Sequence, residues 1–183
     1  LRLASEPRFQ DIKITARGGG TGTNGQSLSA GIILDCSRHL NQILAINVEE
    51  GWVRVQPGVV LDQLNDQLAP HGVFFAPNLS PSSRATLGGM INTDACGKGS
   101  RIYGRTSDHV LELTCVLADG SKLDVEPWAD KALSQLKSEN GLAGSAIRAV
   151  DEIVTEKAEV IERVFPKLSR FLTGYNLAKV YGN

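Results

Sequence analysis

Little in this chain of 183 residues leans to one side. It has no excess of either charge, since 19 Lys and Arg face 20 Asp and Glu for a formal net charge of −1. Without net positive charge it has no general attraction to nucleic acid or anionic lipid, so no nucleic-acid partner is expected. No apolar run approaches the roughly 20 residues of a membrane-spanning helix, so no membrane span is expected. Cysteine is scarce too: Cys36, Cys96 and Cys115 lie far apart, with no Cys-x-x-Cys spacing. That set fits neither a disulfide framework nor a zinc site, and the expected compartment is cytoplasmic. His39, His71 and His109 are scattered without metal-ligand spacing, and no Ser-His-Asp or Cys-His arrangement can be built. There is no initiating Met and no basic-then-apolar leader; the chain starts at Leu1-Arg2-Leu3-Ala4 and stops at Tyr181-Gly182-Asn183, which reads as a piece of a longer protein. What remains is ordinary globular composition, with 42% hydrophobic and 21% charged residues.

The hydrophobic pattern predicts short strands with few helices, then a helical tail. Asp11–Thr15 alternates as a half-buried strand, and Gly31–Asp35 reads as a second. Ile43–Val48 and Trp52–Gln56 form a predicted hairpin around Glu49-Glu50-Gly51. Val60, Leu61, Leu64 and Leu68 recur at helical spacing, with Pro70 as the stop. Leu111, Leu113, Cys115 and Leu117 line one face of a segment from His109 to Ala118, followed by a predicted two-residue turn at Asp119-Gly120 and a returning strand, Lys122–Val125. Beyond Trp128, Ala132–Lys137, Ser145–Arg163 and part of Phe165–Val180 read as helical. The expected class is α+β, without the strand–helix alternation of a doubly wound sheet.

Eight of the 19 glycines lie in two stretches. The first, Arg17-Gly-Gly-Gly-Thr-Gly-Thr-Asn-Gly-Gln26, contains a literal G-x-G-x-x-G over Gly20–Gly25. A dinucleotide fingerprint needs a helix to start there, and Gln26-Ser-Leu-Ser-Ala-Gly31 leads into a strand instead. A P-loop would need Lys where Gln26 stands. Two readings remain open. Successive amides of Gly18, Gly19, Gly20, Gly22 and Gly25 could converge on an anion, helped by Arg17, Thr21, Thr23 and Asn24, or the segment could be a tight loop without a ligand. The second stretch, Pro81-Ser-Ser-Arg-Ala-Thr-Leu-Gly-Gly-Met-Ile-Asn-Thr-Asp-Ala-Cys-Gly97, offers neutral hydrogen-bonding groups around Gly88-Gly89. Its bland reading is a loop that caps a helix near Ile91.

In this order, Arg17-Gly-Gly-Gly-Thr21, Gly25-Gln26, Ile33-Leu-Asp35, Val55-Gln-Pro-Gly58, Thr86-Leu-Gly-Gly89, Tyr103-Gly104 and Asp108 resemble the PCMH-type FAD-binding domain of the vanillyl-alcohol-oxidase family. The resemblance runs from about Asp11 to Val125. It implies a PCMH-type fold of short mixed sheets with flanking helices and a helical C-terminal tail. It also implies FAD as cofactor, with the diphosphate wrapped by Gly18, Gly19, Gly20, Thr21, Gly22, Thr23, Gly25 and Gln26. Pro81, Ser82, Thr86, Leu87, Gly88, Gly89 and Asn92 would line the cofactor from its diphosphate toward the ring, and Gly104 would mark the tyrosine–glycine turn. Some members attach FAD through a His in the first loop; Thr21 stands at that position, so noncovalent FAD is expected.

The implied domains are 1–127, an FAD-binding domain truncated at its N-terminus, and 128–183, a helical insertion leading to the remainder. Phe165-Pro-Lys-Leu-Ser-Arg170 and Gly174-Tyr-Asn-Leu177 resemble the insertion of large dehydrogenases that fuse this domain to an iron–sulfur region and act on D-2-hydroxy acids such as D-lactate or D-2-hydroxyglutarate; an amphipathic helix is the plainer reading of the same residues. The expected function is therefore hydride transfer from a small hydroxy acid to FAD, with the cap and any iron–sulfur cluster supplied by the rest of the chain. No catalytic residue and no metal ligand is assigned. A later Gly-Ser-Glu-Gly-type segment that touches FAD in the family lies outside these residues, so the piece alone is expected to hold FAD weakly or not at all. A sugar-lactone or aryl-alcohol oxidase of the same family, and a phosphate-ligand binding module without chemistry, stay open as alternatives.

Overall fold

The computed structural model describes residues 1–127, 130–168 and 175–180. The chain divides into two compact units, Asp11–His109 and Leu1–Gln10 with Val110–Asn183.

In the Asp11–His109 unit, β1 (Ile14–Arg17) pairs in parallel with β2 (Ile32–Asp35), Ile14 opposite Ile32 and Arg17 opposite Asp35. The first strand thus runs three residues later than alternation predicts at its start. Parallel neighbours need a crossover of roughly a dozen residues or more, usually helical. Here residues 18–31 make the crossover without a helix, so the glycine loop stands at the end of β1. The β2 chain then turns into α1 (Cys36–His39), whose first turn is capped by Asp35 accepting from the Ser37 amide at 2.9 Å.

β3 (Ile43–Asn47) and β4 (Trp52–Val55) form the expected antiparallel hairpin, with an irregularity in register between Ile43 and Ala45. The bulge explains a break in the two-residue period: Leu44 is exposed, while Ile43 and Ile46 both pack on the core. α2 (Leu61–Leu68) faces them with Leu61, Leu64 and Leu68. Pro70 does not end this helix abruptly; the chain tightens into a 3-10 turn over Ala69–His71. α3 (Leu87–Asn92) adds Leu87 and Met90, and these residues with Val59 and Ala85 make the buried core. α4 (Ser100–Tyr103) and a 3-10 turn over Thr106–His109 complete the unit. The residues around His109, expected to open a strand, are in that turn.

In the other unit, β5 (Leu113–Val116) pairs antiparallel with β6 (Lys122–Val125). The connection is not a two-residue turn. Leu117 N–H donates to the Ser121 carbonyl at 2.9 Å, leaving a three-residue loop, Ala118–Gly120, closed by Gly120 at φ +79°. Leu111, expected on the same face as Leu113, lies outside the strand and is exposed. α5 (Asp130–Ser138) and α6 (Leu142–Glu156) form a helical pair. Arg148 ties them together by donating to the Lys137 and Glu139 carbonyls at 2.6 and 2.9 Å, at the end where helix carbonyls lack partners. The predicted helix Ser145–Arg163 is two helices, α6 and α7 (Ala158–Val164), broken at Lys157. Buried Ile147, Val154 and Ile161 keep a seven-residue spacing across the break, so periodicity alone gives no sign of it. α8 (Leu177–Val180) is the helical part of Phe165–Val180 among the described residues; residues 128–129, 169–174 and 181–183 lie outside them.

Candidate functional site

The two glycine stretches meet. Strand β4 delivers Gln56-Pro57-Gly58-Val59, and this segment is stitched to the entry of α3. Leu61 N–H donates to the Ala85 carbonyl at 2.9 Å, Leu87 N–H to Val59 at 2.9 Å and Gly88 N–H to Pro57 at 2.8 Å. A side chain at Gly88 would sit 2.6 Å from the Pro57 Cβ, so this stitching needs glycine. The first loop lies against the same strip. A Cβ on Gly18 would collide with Thr86 Oγ1, and one on Gly19 with the Arg84 carbonyl oxygen, with the Arg84 carbonyl carbon at 2.8 Å. Loop and strip therefore touch along Gly18-Gly19 and Arg84-Ala85-Thr86, Gly19 against the Arg84-Ala85 backbone and Gly18 against the Thr86 side chain.

Arg17, half-buried at the end of β1, props the loop from below. Its guanidinium lies beside the Gly20 Cα, and its Nη1 donates to the Ser27 carbonyl at 3.5 Å. Asp35, its register partner, is held below the ordinary carboxyl range by the Ser37 hydroxyl first, then by the Ser37 amide, with the charge of Arg17 adding to these. The far side of the loop closes on itself. Gln26 Oε1 accepts from the Asn24 amide at 3.1 Å, its amide group folds against Gly22, and Leu28 N–H donates to Gly25 at 3.0 Å.

What the seam presents is donors. Among the described residues, the backbone amides of Gly19, Gly20, Thr21, Gly22 and Thr23 donate to no protein group, and neither does that of Gly89. Thr86 Oγ1 is buried without a hydrogen-bond partner, between Gly18 and Gly89. An FAD diphosphate is acceptor-only and negatively charged. A run of unpaired amides over an arginine, with an orphaned hydroxyl at the junction, fits such a group.

The remaining residues singled out in the sequence take different positions. Pro81 and Ser82 form the turn before the strip; the Ser82 carbonyl accepts from Asp62 N–H at 3.3 Å, and Ser82 borders a cleft of about 210 Å3 with Asn78, Lys98 and Tyr103. Leu87 is 3% exposed and its amide is engaged, so its side chain serves the core. Asn92 Nδ2 and Thr93 Oγ1 bond back to the Gly88 and Gly89 carbonyls at 2.9 and 3.0 Å, which braces the glycine pair within α3. Gly104, at φ +75°, lies beside the Asp108 carboxylate, which accepts from Arg105 N–H at 2.8 Å. Sequence reasoning missed the Arg84 carbonyl as the floor under Gly19, and Arg105 as a buried cation; Arg105 sits among polar neighbours with no pattern to mark it as internal.

Residues 2–126 match the family described as FAD binding domain. The chain belongs to that family. Relatives in the same family include a D-2-hydroxyglutarate dehydrogenase of Pseudomonas putida, 61% identical over 96% of this chain and 18% of the relative, and one of Escherichia coli K12, 53% identical over 100% of this chain and 18% of the relative. The chain thus spans about a fifth of the length of these curated relatives. A solved alkyldihydroxyacetonephosphate synthase superposes with a TM-score of 0.59 over 79% of this chain and 28% of its own, at 23% identity, a likeness of fold. The fold is the PCMH-type α+β fold. Among the described residues no helix is long and apolar enough to cross a membrane.

Proposed function

We propose that this chain is the FAD-binding portion of a flavin-dependent dehydrogenase that oxidises a D-2-hydroxy acid of the D-2-hydroxyglutarate or D-lactate type. Residues 1–127 form that portion, in keeping with the family match over 2–126, and 128–183 are a helical insertion. The observation that carries the reading is the donor-lined seam of Gly18–Thr23 with Thr86–Gly89. The 61% identity to a D-2-hydroxyglutarate dehydrogenase supports the choice of substrate class.

Gly19, Gly20, Thr21, Gly22 and Thr23 hold the diphosphate through main-chain amides, Thr86 and Gly89 meet it from the second segment, and Arg17 offsets its charge through the loop. Thr21 has no nucleophilic ring nitrogen, so the cofactor is held without a covalent bond. FAD, when bound, accepts the hydride equivalent that leaves C2 of the hydroxy acid as its hydroxyl proton departs and a 2-oxo acid forms. The chain's part in that step is to fix the cofactor; the substrate-binding and proton-accepting groups belong to a cap domain, and electrons leave through another domain or carrier, with an iron–sulfur cluster as one such route. The protein is cytoplasmic in this reading.

The test uses the full-length protein. Anaerobic addition of D-2-hydroxyglutarate or D-lactate should bleach a stoichiometric flavin absorbance. A full-length protein without flavin, or one bleached by an aldonolactone and not by either hydroxy acid, refutes the reading.

A further inference from the structure

Asp94 is the described non-glycine residue with a positive φ, at +44°. It follows α3, where its amide donates to the Ile91 carbonyl at 3.1 Å and the next amide, of Ala95, donates to Met90 at 2.8 Å. Gly or Asn serves such a left-handed turn with less strain. What Asp adds is a full negative charge, and that charge is matched. Arg105, whose side chain is 5% exposed, donates from Nη1 to Asp94 Oδ2 at 3.0 Å, and Ser107 N–H donates to Asp94 Oδ1 at 3.0 Å. Beside this pair, Thr106 donates to the Ala95 carbonyl twice, from N–H at 3.0 Å and from Oγ1 at 2.7 Å. Asp108 accepts from Arg105 N–H. These bonds together pin the C-terminal end of α3 to residues 105–107. α3 is a helix of six residues, and its other end carries Thr86, Gly88 and Gly89. A rod this short, fixed at one end by several bonds that include the buried Arg105 guanidinium, has its other end fixed as well.

We infer that Asp94 and Arg105 are positioning residues for the cofactor, holding α3 at the tilt that places Thr86 and Gly89 against the Gly18-Gly19 loop. The inference rests on the FAD reading above and adds two residues that never touch FAD. Their effect should fall on the diphosphate end of the ligand and not on the ring.

The comparison that tests it is FAD against riboflavin, titrated into full-length apoprotein well below its melting point. Asp94→Asn keeps the left-handed turn and an acceptor for Ser107 but removes the charge. Its FAD Kd should rise about tenfold while its riboflavin Kd stays within about twofold of wild type, since riboflavin carries no diphosphate; tenfold in Kd is about 1.4 kcal/mol. A purely structural role lowers the folded fraction and scales both ligands equally. Equal factors for the two ligands, or no change in either, overturn the inference. Where Asp94→Asn does not fold, Arg105→Lys carries the same comparison, because it keeps the opposite charges and removes the Nη1 donor that reaches Asp94 Oδ2. A wild-type protein that takes up no FAD refutes the function beneath; a wild type that takes up FAD beside an unaltered Asp94→Asn refutes this inference alone.

Discussion

The close contact of Gly19 with the Arg84 carbonyl gives the sharpest prediction. Gly19 does not have a positive φ, so Gly19→Ala meets no backbone strain of its own. By removing unfolded-state freedom it should even stabilise by about 0.4–1 kcal/mol. Against this, the new methyl would lie 2.8 Å from the Arg84 carbonyl carbon and closer still to its oxygen. Both are backbone atoms tied by the Ala85 and Leu87 ladders, and forced overpacking of this kind costs about 1–3 kcal/mol. The net is a loss of up to about 2.6 kcal/mol, absorbed by the loop moving off the strip. That movement separates the amides of Gly19–Thr23 from Thr86 and Gly89, so FAD affinity should fall about tenfold or more. The assay is urea unfolding paired with FAD titration, both on the full-length protein. Gly51→Ala is the control: it sits in the β3–β4 turn at φ +73° with nothing within 4 Å. It should cost about 1–2 kcal/mol through the left-handed backbone alone and leave FAD affinity unchanged. Gly19→Ala protein that binds FAD like wild type would refute the contact between the two segments as the basis of binding.

Thr86→Val should act with opposite signs in the two states. Without ligand it removes a buried, unpartnered hydroxyl and should stabilise the apoprotein by on the order of 1 kcal/mol, read as a higher melting midpoint; with FAD it should weaken binding, and a parallel loss in both states would contradict the role given to Oγ1. Acid should loosen the Asp94 anchor: burial pushes its carboxyl up, but the Ser107 amide and hydroxyl and the Arg105 guanidinium outweigh this and hold it below the usual value. A carboxyl lowered in the folded state releases its proton there first, so its stabilisation is complete above the unfolded value of about 4 and is lost as pH falls through the folded one. Urea midpoints followed downward from pH 6 should therefore fall more steeply below about pH 4 in wild type than in Asp94→Asn.

Much of the site was legible because glycine density, unlike helix periodicity, has few explanations. Three consecutive glycines after a strand, and a Gly-Gly after Thr86, could be read as places where backbone nears backbone. The partner of that approach could not be read, since the Arg84 carbonyl and the Pro57 ring atoms carry no signature in side-chain type. The hairpin at Asp119-Gly120 shows the same limit at a smaller scale: the residues favour a tight turn, but the Leu117–Ser121 pairing decides its length. Ile32, Ile33 and Leu34 form an apolar strand as expected, yet all three are exposed on β2, because a strand's pattern tells its shape and not which surface covers it. Arg105 was invisible for the opposite reason, since burial of a cation depends on a carboxylate eleven residues away finding it.

The claim most directly open to measurement is that main-chain donors of two glycine segments grip a diphosphate. Full-length apoprotein should be titrated with FAD, alone and in the presence of inorganic pyrophosphate, and with riboflavin. The account predicts that pyrophosphate competes with FAD and that riboflavin binds about a hundredfold more weakly or worse, a gap of about 2.7 kcal/mol or more. Equal affinity for FAD and riboflavin, indifferent to pyrophosphate, would contradict it.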